Sequence, residues 1–307
     1  MWALSVCIPI FNTDVRPLVA ELCAQIDKIK VAFIDVVLID DASAADIKAC
    51  HQFSNSRVKL IELENNIGRS KIRNLFLAHS TADFLLFIDG DSTVQDPQFL
   101  NKYVAYLKEA SDVDVLIGAS RYDLQPPVYA KRLRWKYSTQ RESLNFEKRL
   151  RLAAFGFKTN NFLIHREILE RIPFEERLQG YGHEDTLFGL QLLQNGVQIS
   201  HMDNPVWNLN LDTNLVFLQK TDNALRNLLW IYRHYNSPLL LKTNKLLAVY
   251  LKFKTKWFLQ AFLFMIVGFE SVFKRLLLTG RAPLFCFDLY RLSRLSQLDK
   301  NTSDKRF

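Results

Sequence analysis

The sequence predicts an α/β fold built on a mainly parallel sheet with helices against both faces. Three observations carry that expectation. Strand-like and helix-like patterns alternate through the first third of the chain, the strand-like runs are apolar throughout, and several of them stop abruptly at Asp or Asn. A sheet covered on one face alternates apolar and polar residues, whereas continuously apolar strands need cover on both sides, which parallel β-α-β units supply. With 307 residues, 49% of them hydrophobic, the chain can build a sizeable core, which excludes disorder as its main state.

Leu4-Ser5-Val6-Cys7-Ile8-Pro9-Ile10 reads as the first strand, and Asn12-Thr13-Asp14 after it suit a loop and a helix N-cap. Leu18, Leu22 and Ile26 recur at fours and predict the helix that follows. Ile34-Asp35-Val36-Val37-Leu38-Ile39 is the second strand, ending at Asp40-Asp41-Ala42-Ser43. A helix near Asp46–Phe53 leads to a third strand, Val58–Leu63; a helix over Ile67–Ala78 leads to a fourth, Phe84–Ile88, which stops at Asp89-Gly90-Asp91. A helix over about Pro97–Glu109 and a strand at Val113–Gly118 continue the order. Residues 121–157 then turn basic and aromatic, and Pro126-Pro127 begins an excursion from the sheet. Further on, Leu187, Leu190 and Leu193 at threes, with Phe188 and Leu192 four apart, predict a helix behind Gly180-Tyr181-Gly182-His183-Glu184-Asp185.

Composition narrows the class. No run reaches the ~18 consecutive apolar residues of a membrane-spanning helix. Met1-Trp2-Ala3-Leu4 runs into the first strand without a charged leader or cleavage site, so the expected mature N-terminus is the one present. Cys7, Cys23, Cys50 and Cys286 lack the spacing of a zinc site or a disulfide framework and are expected as reduced cytosolic thiols, mostly in the core. The net charge of +8 is unevenly placed: sixteen Lys/Arg against five Asp/Glu from Lys220 onward give +11, leaving −3 for residues 1–219. That basic third is interleaved with long apolar runs, which argues against nucleic acid as the partner.

Sheets of this class bind ligands beyond the carboxyl ends of their strands, where the acids lie. Asp89-Gly90-Asp91 offers two carboxylates around a residue free to turn sharply, suited to a turn but also to Mg²⁺ or Mn²⁺, hard cations that share oxygen ligands with substrate phosphates. Asp40-Asp41 can solvate a loop or accept a hydrogen bond from a base or ribose. Asn65–Asn74 opens a helix with Arg69, Lys71 and Arg73, either an exposed basic face or a partner for an anionic nucleotide. Glu184 and Asp185 in a first helical turn suit the macrodipole; an ionised Asp at a site mouth can also take a hydroxyl proton. His183, alone in its loop, is a weaker candidate for ligand or base.

These residues resemble the inverting family 2 glycosyltransferases of the GT-A fold. The resemblance covers roughly residues 4–222: Ser5–Asn12, Ile39-Asp40-Asp41-Ala42-Ser43, Asn66-x-Gly68 with Arg73-Asn74, Asp89-Gly90-Asp91, Thr159-Asn160-Asn161-Phe162, and Gly180-x-Gly182-x-Glu184-Asp185. Each segment alone is weak; all six stand in the family's order. The resemblance implies a nucleoside-diphosphate sugar donor at the strand ends and a single displacement on a sugar or lipid-linked saccharide acceptor. It implies a nucleotide pocket shaped by Pro9 and Phe11, Asp41 accepting from the base, Arg73 beside the nucleotide, Asp89 facing the ribose or donor sugar, and Asp91 ligating Mn²⁺ or Mg²⁺ at the diphosphate. Asp185 resembles the general base, Glu184 an acceptor-orienting neighbour, and Thr159, Asn160 and Asn161 the floor of the acceptor site. One departure is Asn208, where related transferases often carry a histidine that completes the metal or diphosphate site. A carbonyl oxygen can replace it, though more weakly. His201 is a possible substitute, but its strand-like surroundings favour a structural role.

The expected organisation is a transferase domain over residues 1–222 and a helical basic and apolar accessory over 223–307. Leu246–Lys256 and the apolar run Trp257–Phe269 read either as helices packed on the domain or as an interfacial segment for anionic lipid, which places the enzyme on the inner face of the membrane. A sugar-1-phosphate nucleotidyltransferase shares the sheet class but needs an N-terminal glycine-rich phosphate loop, which is missing. A non-catalytic glycan- or lipid-binding scaffold is the other alternative, and Asn208 is the feature that favours it.

Overall fold

The structure, a computed structural model, describes residues 2–30, 33–110, 113–152, 157–208, 210–235 and 237–303. It divides into two compact units: a sheet unit of residues 1–123, 143–178 and 184–210, and a helical unit of residues 124–142, 179–183 and 211–307.

The sheet unit is the predicted α/β fold. Strands β1 (Ala3–Ile10), β2 (Phe33–Asp40), β3 (Val58–Glu62) and β4 (Phe84–Ile88) alternate with helices α1 (Arg16–Ile26), α2 (Ala45–Cys50) and α3 (Arg69–His79). A two-residue strand, β5 (Ser92–Thr93), is followed by α4 (Phe99–Glu109), β6 (Val115–Ile117) and β7 (Ser120–Tyr122). After residues 124–142, which belong to the other unit, the sheet unit resumes with α6 (Phe146–Leu152), β8 (Asn161–His165), α7 (Arg166–Arg171), α8 (Glu184–Gln194), β9 (Ile199–His201) and β10 (Val206–Asn208). The main sheet runs β3-β2-β1-β4-β8-β6-β9, and β8 pairs antiparallel with both its neighbours while the sheet's other pairs among the described residues are parallel. A smaller sheet runs β5-β10-β7.

The apolar strands are explained by two cores, one per face. Val6, Ile8, Val36, Leu38, Leu86 and Ile88 pack with α1 and α4, while Cys7, Val37, Ile39, Leu85 and Phe87 pack with residues of α3, α7 and α8. Successive residues of a strand point to opposite faces, so a strand covered twice must be apolar at every position. The second core is aromatic: Phe87 stacks on Phe162, and Phe174 stacks on Phe188 with centroids 3.9 Å apart. Of the four free cysteines Cys7 is fully buried, Cys23 and Cys286 are half-buried and pack against the cores of the sheet and helical units, and Cys50 is half-buried. Burial pushes the Cys7 thiol well above its ordinary pKa, as expected of an inert packing thiol.

The helical unit contains the excursion after Pro126-Pro127, which forms a 3₁₀ turn at Tyr129–Lys131, α5 (Arg132–Tyr137) and a π-helical turn at Ser138–Glu142. These lie with α9 (Asn214–Tyr235), α10 (Pro238–Thr243), α11 (Lys245–Thr255), α12 (Trp257–Gly268), α13 (Glu270–Leu278) and α14 (Leu284–Ser303). Leu133, Phe217, Leu277, Phe287 and Tyr290 make its core. Buried Asn214 knits it: its Oδ1 accepts the Leu133 amide at 2.9 Å and its Nδ2 donates to the Tyr129 and Leu278 carbonyls at 2.8 and 3.1 Å. Gly280 is obligatory there, because φ is +70° and an added Cβ would lie 2.0 Å from the Tyr129 carbonyl oxygen. At the far end Asp299 gathers Arg233, Lys254 and Tyr250; burial opposes its ionisation, but those three hydrogen bonds prevail and hold its carboxyl at about 2. Among the described residues no helix is long and apolar enough to cross a membrane.

Candidate functional site

Strand order places the crevice. β1 lies between β2 and β4, and the chain leaves β1 toward β2 and β3 before returning on the other side to β4. Connections that diverge from one strand end leave a cleft there, and the strand ends around it are Pro9–Asn12, Asp40–Ser43 and Asp89–Asp91.

The first two ends are locked together. The Asn12 amide donates to Ser43 Oγ and Asn12 Oδ1 accepts the Ala44 amide, both at 2.8 Å. Asn12 and Ala42 adopt left-handed φ values of 50° and 61°; Asn tolerates this because its short amide bonds locally. The turn leaves Phe11 54% exposed at the cleft mouth and Pro9 half-buried behind it.

The paired acids after β2 do different work. Asp40 is fully buried, with Oδ1 accepting the Ser43 amide at 2.6 Å and Oδ2 lying 3.7 Å from Nδ1 of equally buried His51. His51 Nε2 accepts the Val15 amide at 3.4 Å, so a neutral ring carries its proton on Nδ1, facing the carboxylate. Asp41, 5% exposed, clamps the loop before α3: Oδ1 accepts the Ile67 amide at 2.6 Å and Oδ2 the Gly68 amide at 3.0 Å. Each oxygen retains a second lone pair, so this clamp and an additional acceptor role are compatible.

Arg73 is 2% exposed and lies beneath the third strand end. Its Nη2 donates to Asp89 Oδ1 at 2.8 Å and its Nη1 to the Arg69 carbonyl at 3.0 Å, with its guanidinium 5.8 Å from the Phe174 centroid. It thus fixes Asp89 and compensates its charge. Gly90 makes the close approach to β1: a Cβ there would sit 3.1 Å from both the Pro9 carbonyl oxygen and Val15 Cγ1. Asp91 follows, exposed, and leads into β5. The small sheet pairs Ser92 with Asn208, whose Oδ1 accepts from Ser92 Oγ at 3.2 Å. Asn208 therefore stands across from the residue next to Asp91.

Among the described residues no three His, Cys, Asp or Glu side chains group to hold a metal by themselves. A divalent cation shared with a diphosphate needs only one or two protein oxygens. The exposed Asp91 carboxylate, with the Asn208 amide carbonyl nearby on the paired strand, fits that requirement in donor type. His201 sits elsewhere: it is buried on β9, pairs in register with Ile117, and has Nδ1 3.4 Å from Arg149 Nη1. Burial pushes the Arg149 guanidinium below its ordinary pKa.

Asn160 carries the Asp89 amide on its carbonyl oxygen at 3.2 Å, and Thr159 beside it is 5% exposed. Asn161, the first residue of β8, is fully buried: its Oδ1 accepts from Tyr103 Oη at 2.6 Å and its Nδ2 donates to the Ala119 and Asn204 carbonyls at 2.9 and 2.8 Å. Its side chain is taken up by these bonds and presents no surface, which does not fit direct contact with an acceptor. Gly118 is pressed against this network, where a Cβ would fall 2.2 Å from Tyr103 Oη and 2.4 Å from Asn161 Nδ2. Gly118→Ala is expected to cost about 1–3 kcal/mol or more through overpacking, read as a lower denaturation midpoint at unchanged m-value.

Both acids at the start of α8 are tied by cations to the elements that hold Asp89. Glu184, 6% exposed, accepts Arg69 Nη1 at 2.8 Å, and Arg69 supplies the carbonyl that Arg73 binds. Asp185 Oδ2 accepts Lys158 Nζ at 2.8 Å, two residues before Asn160, and its Oδ1 accepts the Thr186 amide at 2.7 Å. In the helical unit, Asn227 Nδ2 fixes the loop preceding these acids by donating to the Gln179 and Gly182 carbonyls at 3.0 and 2.9 Å. Lys158, Arg69 as a partner of Glu184, His51 and Tyr103 are site-supporting residues that sequence reading missed; a cation next to the Thr159 segment was the one local signal for Lys158.

A doubly covered, mainly parallel sheet with acids at its strand ends, a cleft at the topological switch and acids opening α8 define a nucleotide-dependent group-transfer fold. The family model described as glycosyl transferase family 2 matches residues 5–172, and the chain belongs to that family. No protein of curated function matches its sequence. Among solved structures, the chain is similar to the mannosyltransferase PcManGT from Pyrobaculum calidifontis, in complex with GDP-Man and Mn²⁺: 17% identity, TM-score 0.62, 99% of this chain and 88% of that one covered. It is also similar to S. aureus TarS 1-349, at 19% identity and TM-score 0.51 over 99% of this chain and 92% of that one. At these identities the likeness is one of fold, which confirms the GT-A architecture.

Proposed function

We propose that this protein transfers a sugar from a nucleoside-diphosphate sugar to a hydroxyl of a glycan or lipid-linked saccharide at a membrane surface, inverting the anomeric centre. The observation that carries the reading is the pair of ionic links, Arg69–Glu184 and Lys158–Asp185, that join the acids of α8 to the loop and helix holding Asp89. Donor-side and acceptor-side carboxylates thereby belong to one connected site. The bound GDP-Man of the Pyrobaculum enzyme, and the UDP-GlcNAc in a further TarS structure, support a nucleotide sugar as donor.

Phe11 and Pro9 line the nucleotide end, Asp41 accepts from the base, and Asp89, held by Arg73, faces ribose or donor sugar. Asp91 and Asn208 are the residues that would hold Mn²⁺ or Mg²⁺. Such an ion supplies charge neutralisation for the departing diphosphate. Asp185 takes the acceptor hydroxyl proton on Oδ2 as the hydroxyl oxygen attacks C1; the C1–phosphate oxygen bond breaks and its electron pair leaves with the nucleoside diphosphate. Lys158 occupies Oδ2 in the structure and must move aside for the acceptor. Glu184, locked by Arg69, orients the acceptor with Thr159 and Asn160, while Asn161 acts from beneath them.

The test is a panel of sugar nucleotides, with and without Mn²⁺ or Mg²⁺, measured for binding and for transfer or hydrolysis by the full chain. Metal-dependent binding with turnover supports the transferase and names the donor. Binding without turnover toward any acceptor or water favours the scaffold, which Asn208 in place of a histidine would suit.

A further inference from the structure

Helix α12 has no polar face. Leu263 and Ile266 are its buried residues, and apart from exposed Gln260, whose Nε2 donates to the Lys254 carbonyl, the rest of its surface is just as apolar: Trp257 is 81% exposed, Phe264 77%, and Phe258, Phe262 and Met265 are exposed with them. At 100° per residue, Phe264, Trp257, Ala261, Met265, Phe258 and Phe262 sweep one continuous arc with no charge in it. A helix packed on a soluble unit keeps its solvent side polar. The apolar surface continues past the break at Phe269 onto Val272 and Leu276 of α13 and is larger than an isolated exposed side chain requires.

The charges beside it select the partner. Lys252 near the end of α11 and Lys256 just beyond it are exposed before Trp257, and Lys274 and Arg275 are exposed on α13, while Lys254 is held by Asp299. Cations flanking an aromatic, uncharged helix match a bilayer interface, where the rings enter the acyl boundary and the cations meet anionic headgroups. A second copy of the chain would bring the same cations face to face, which disfavours self-association through this surface. The length excludes spanning: 12 residues rise only about 18 Å against a hydrocarbon core of about 30 Å.

We propose that α12 is the membrane-inserting element of this protein: it lies in the plane of an anionic bilayer with Trp257, Phe258, Phe264 and Met265 below the headgroups, and Lys252, Lys256, Lys274 and Arg275 at headgroup level. This deepens the membrane-surface part of the proposed function, while leaving the donor chemistry to be judged by itself. Insertion of uncharged surface makes the docked state resistant to salt, and the cations set lipid preference and capture.

The experiment uses the full chain and vesicles of phosphatidylcholine with or without phosphatidylglycerol. Sedimentation with the anionic vesicles, persisting when salt is added after docking, is expected. Phe264→Glu and Trp257→Glu should each lower the bound fraction about tenfold or more while keeping the melting temperature, since both positions are exposed. Brominated lipid should quench tryptophan emission in the wild type but not in Trp257→Phe. Wild-type binding by Phe264→Glu, absent quenching, or a wild-type dimer that Phe264→Glu dissociates without any vesicle binding would each overturn the assignment. Donor binding is measured on the same preparations: its failure alongside normal docking would strike the transferase reading and leave this one standing.

Discussion

Asp185→Asn is expected to bind the donor within a few-fold of wild type and to lose about 10²–10⁴ in turnover, the usual scale for removing a general base. The substitution is nearly isosteric, and Oδ1, which accepts the Thr186 amide and lies 3.2 Å from its hydroxyl, remains in place as an amide oxygen. What changes is Oδ2, replaced by an NH₂ group that can take no proton and no longer attracts Lys158 as a carboxylate does. Binding and chemistry therefore separate: isothermal titration with the sugar nucleotide reads the first and initial rates the second. Near-normal rates would move the base to another residue. Product NMR on the wild type checks the geometry independently, because one displacement inverts the anomeric configuration and retention would exclude it.

The parts of this molecule that are legible in its sequence are those decided locally. Leu85, Leu86, Phe87 and Ile88 announce a strand covered on both faces, and the acids at its end stand out because nothing apolar surrounds them. What lies hidden is decided by tertiary contact. Asn161 reads as a polar floor residue beside Asn160, yet it opens β8 and points into the protein, where Tyr103 and the Ala119 and Asn204 carbonyls consume it. Lys158 and Asp185 are 27 positions apart, and no pattern links them. Residues 129–142 show no helical period because Arg, Lys and aromatic side chains are spread around it, and aromatic–cation contacts such as Arg132 over Tyr129 at 3.8 Å replace an apolar stripe. For α12 the sequence shows apolarity, but which arc is covered depends on its neighbours, and only the structure reveals that most of it is not.

Asp91→Asn is expected to abolish Mn²⁺- or Mg²⁺-dependent donor binding, or to weaken it by at least about tenfold, with the fold intact. The carboxylate is exposed at the head of β5, and the nearby residue on the paired strand is Asn208, a neutral donor. Where a histidine or a second acid completes such a site, loss of one ligand leaves another strong one; here the substitution leaves two neutral amides and removes the anionic charge that draws a hard cation. Dependence on Asp91 should for that reason be steep. Asp89 does not substitute, because Arg73 holds its Oδ1 at 2.8 Å and already balances its charge. The converse change, Asn208→His, restores a stronger neutral ligand across from Ser92 and is expected to tighten metal-dependent donor binding in the wild-type background. Calorimetry with donor and metal titrated separately decides the matter: metal dependence unchanged in Asp91→Asn would remove Asp91 from the site and, with it, the reason for reading Asn208 as its partner.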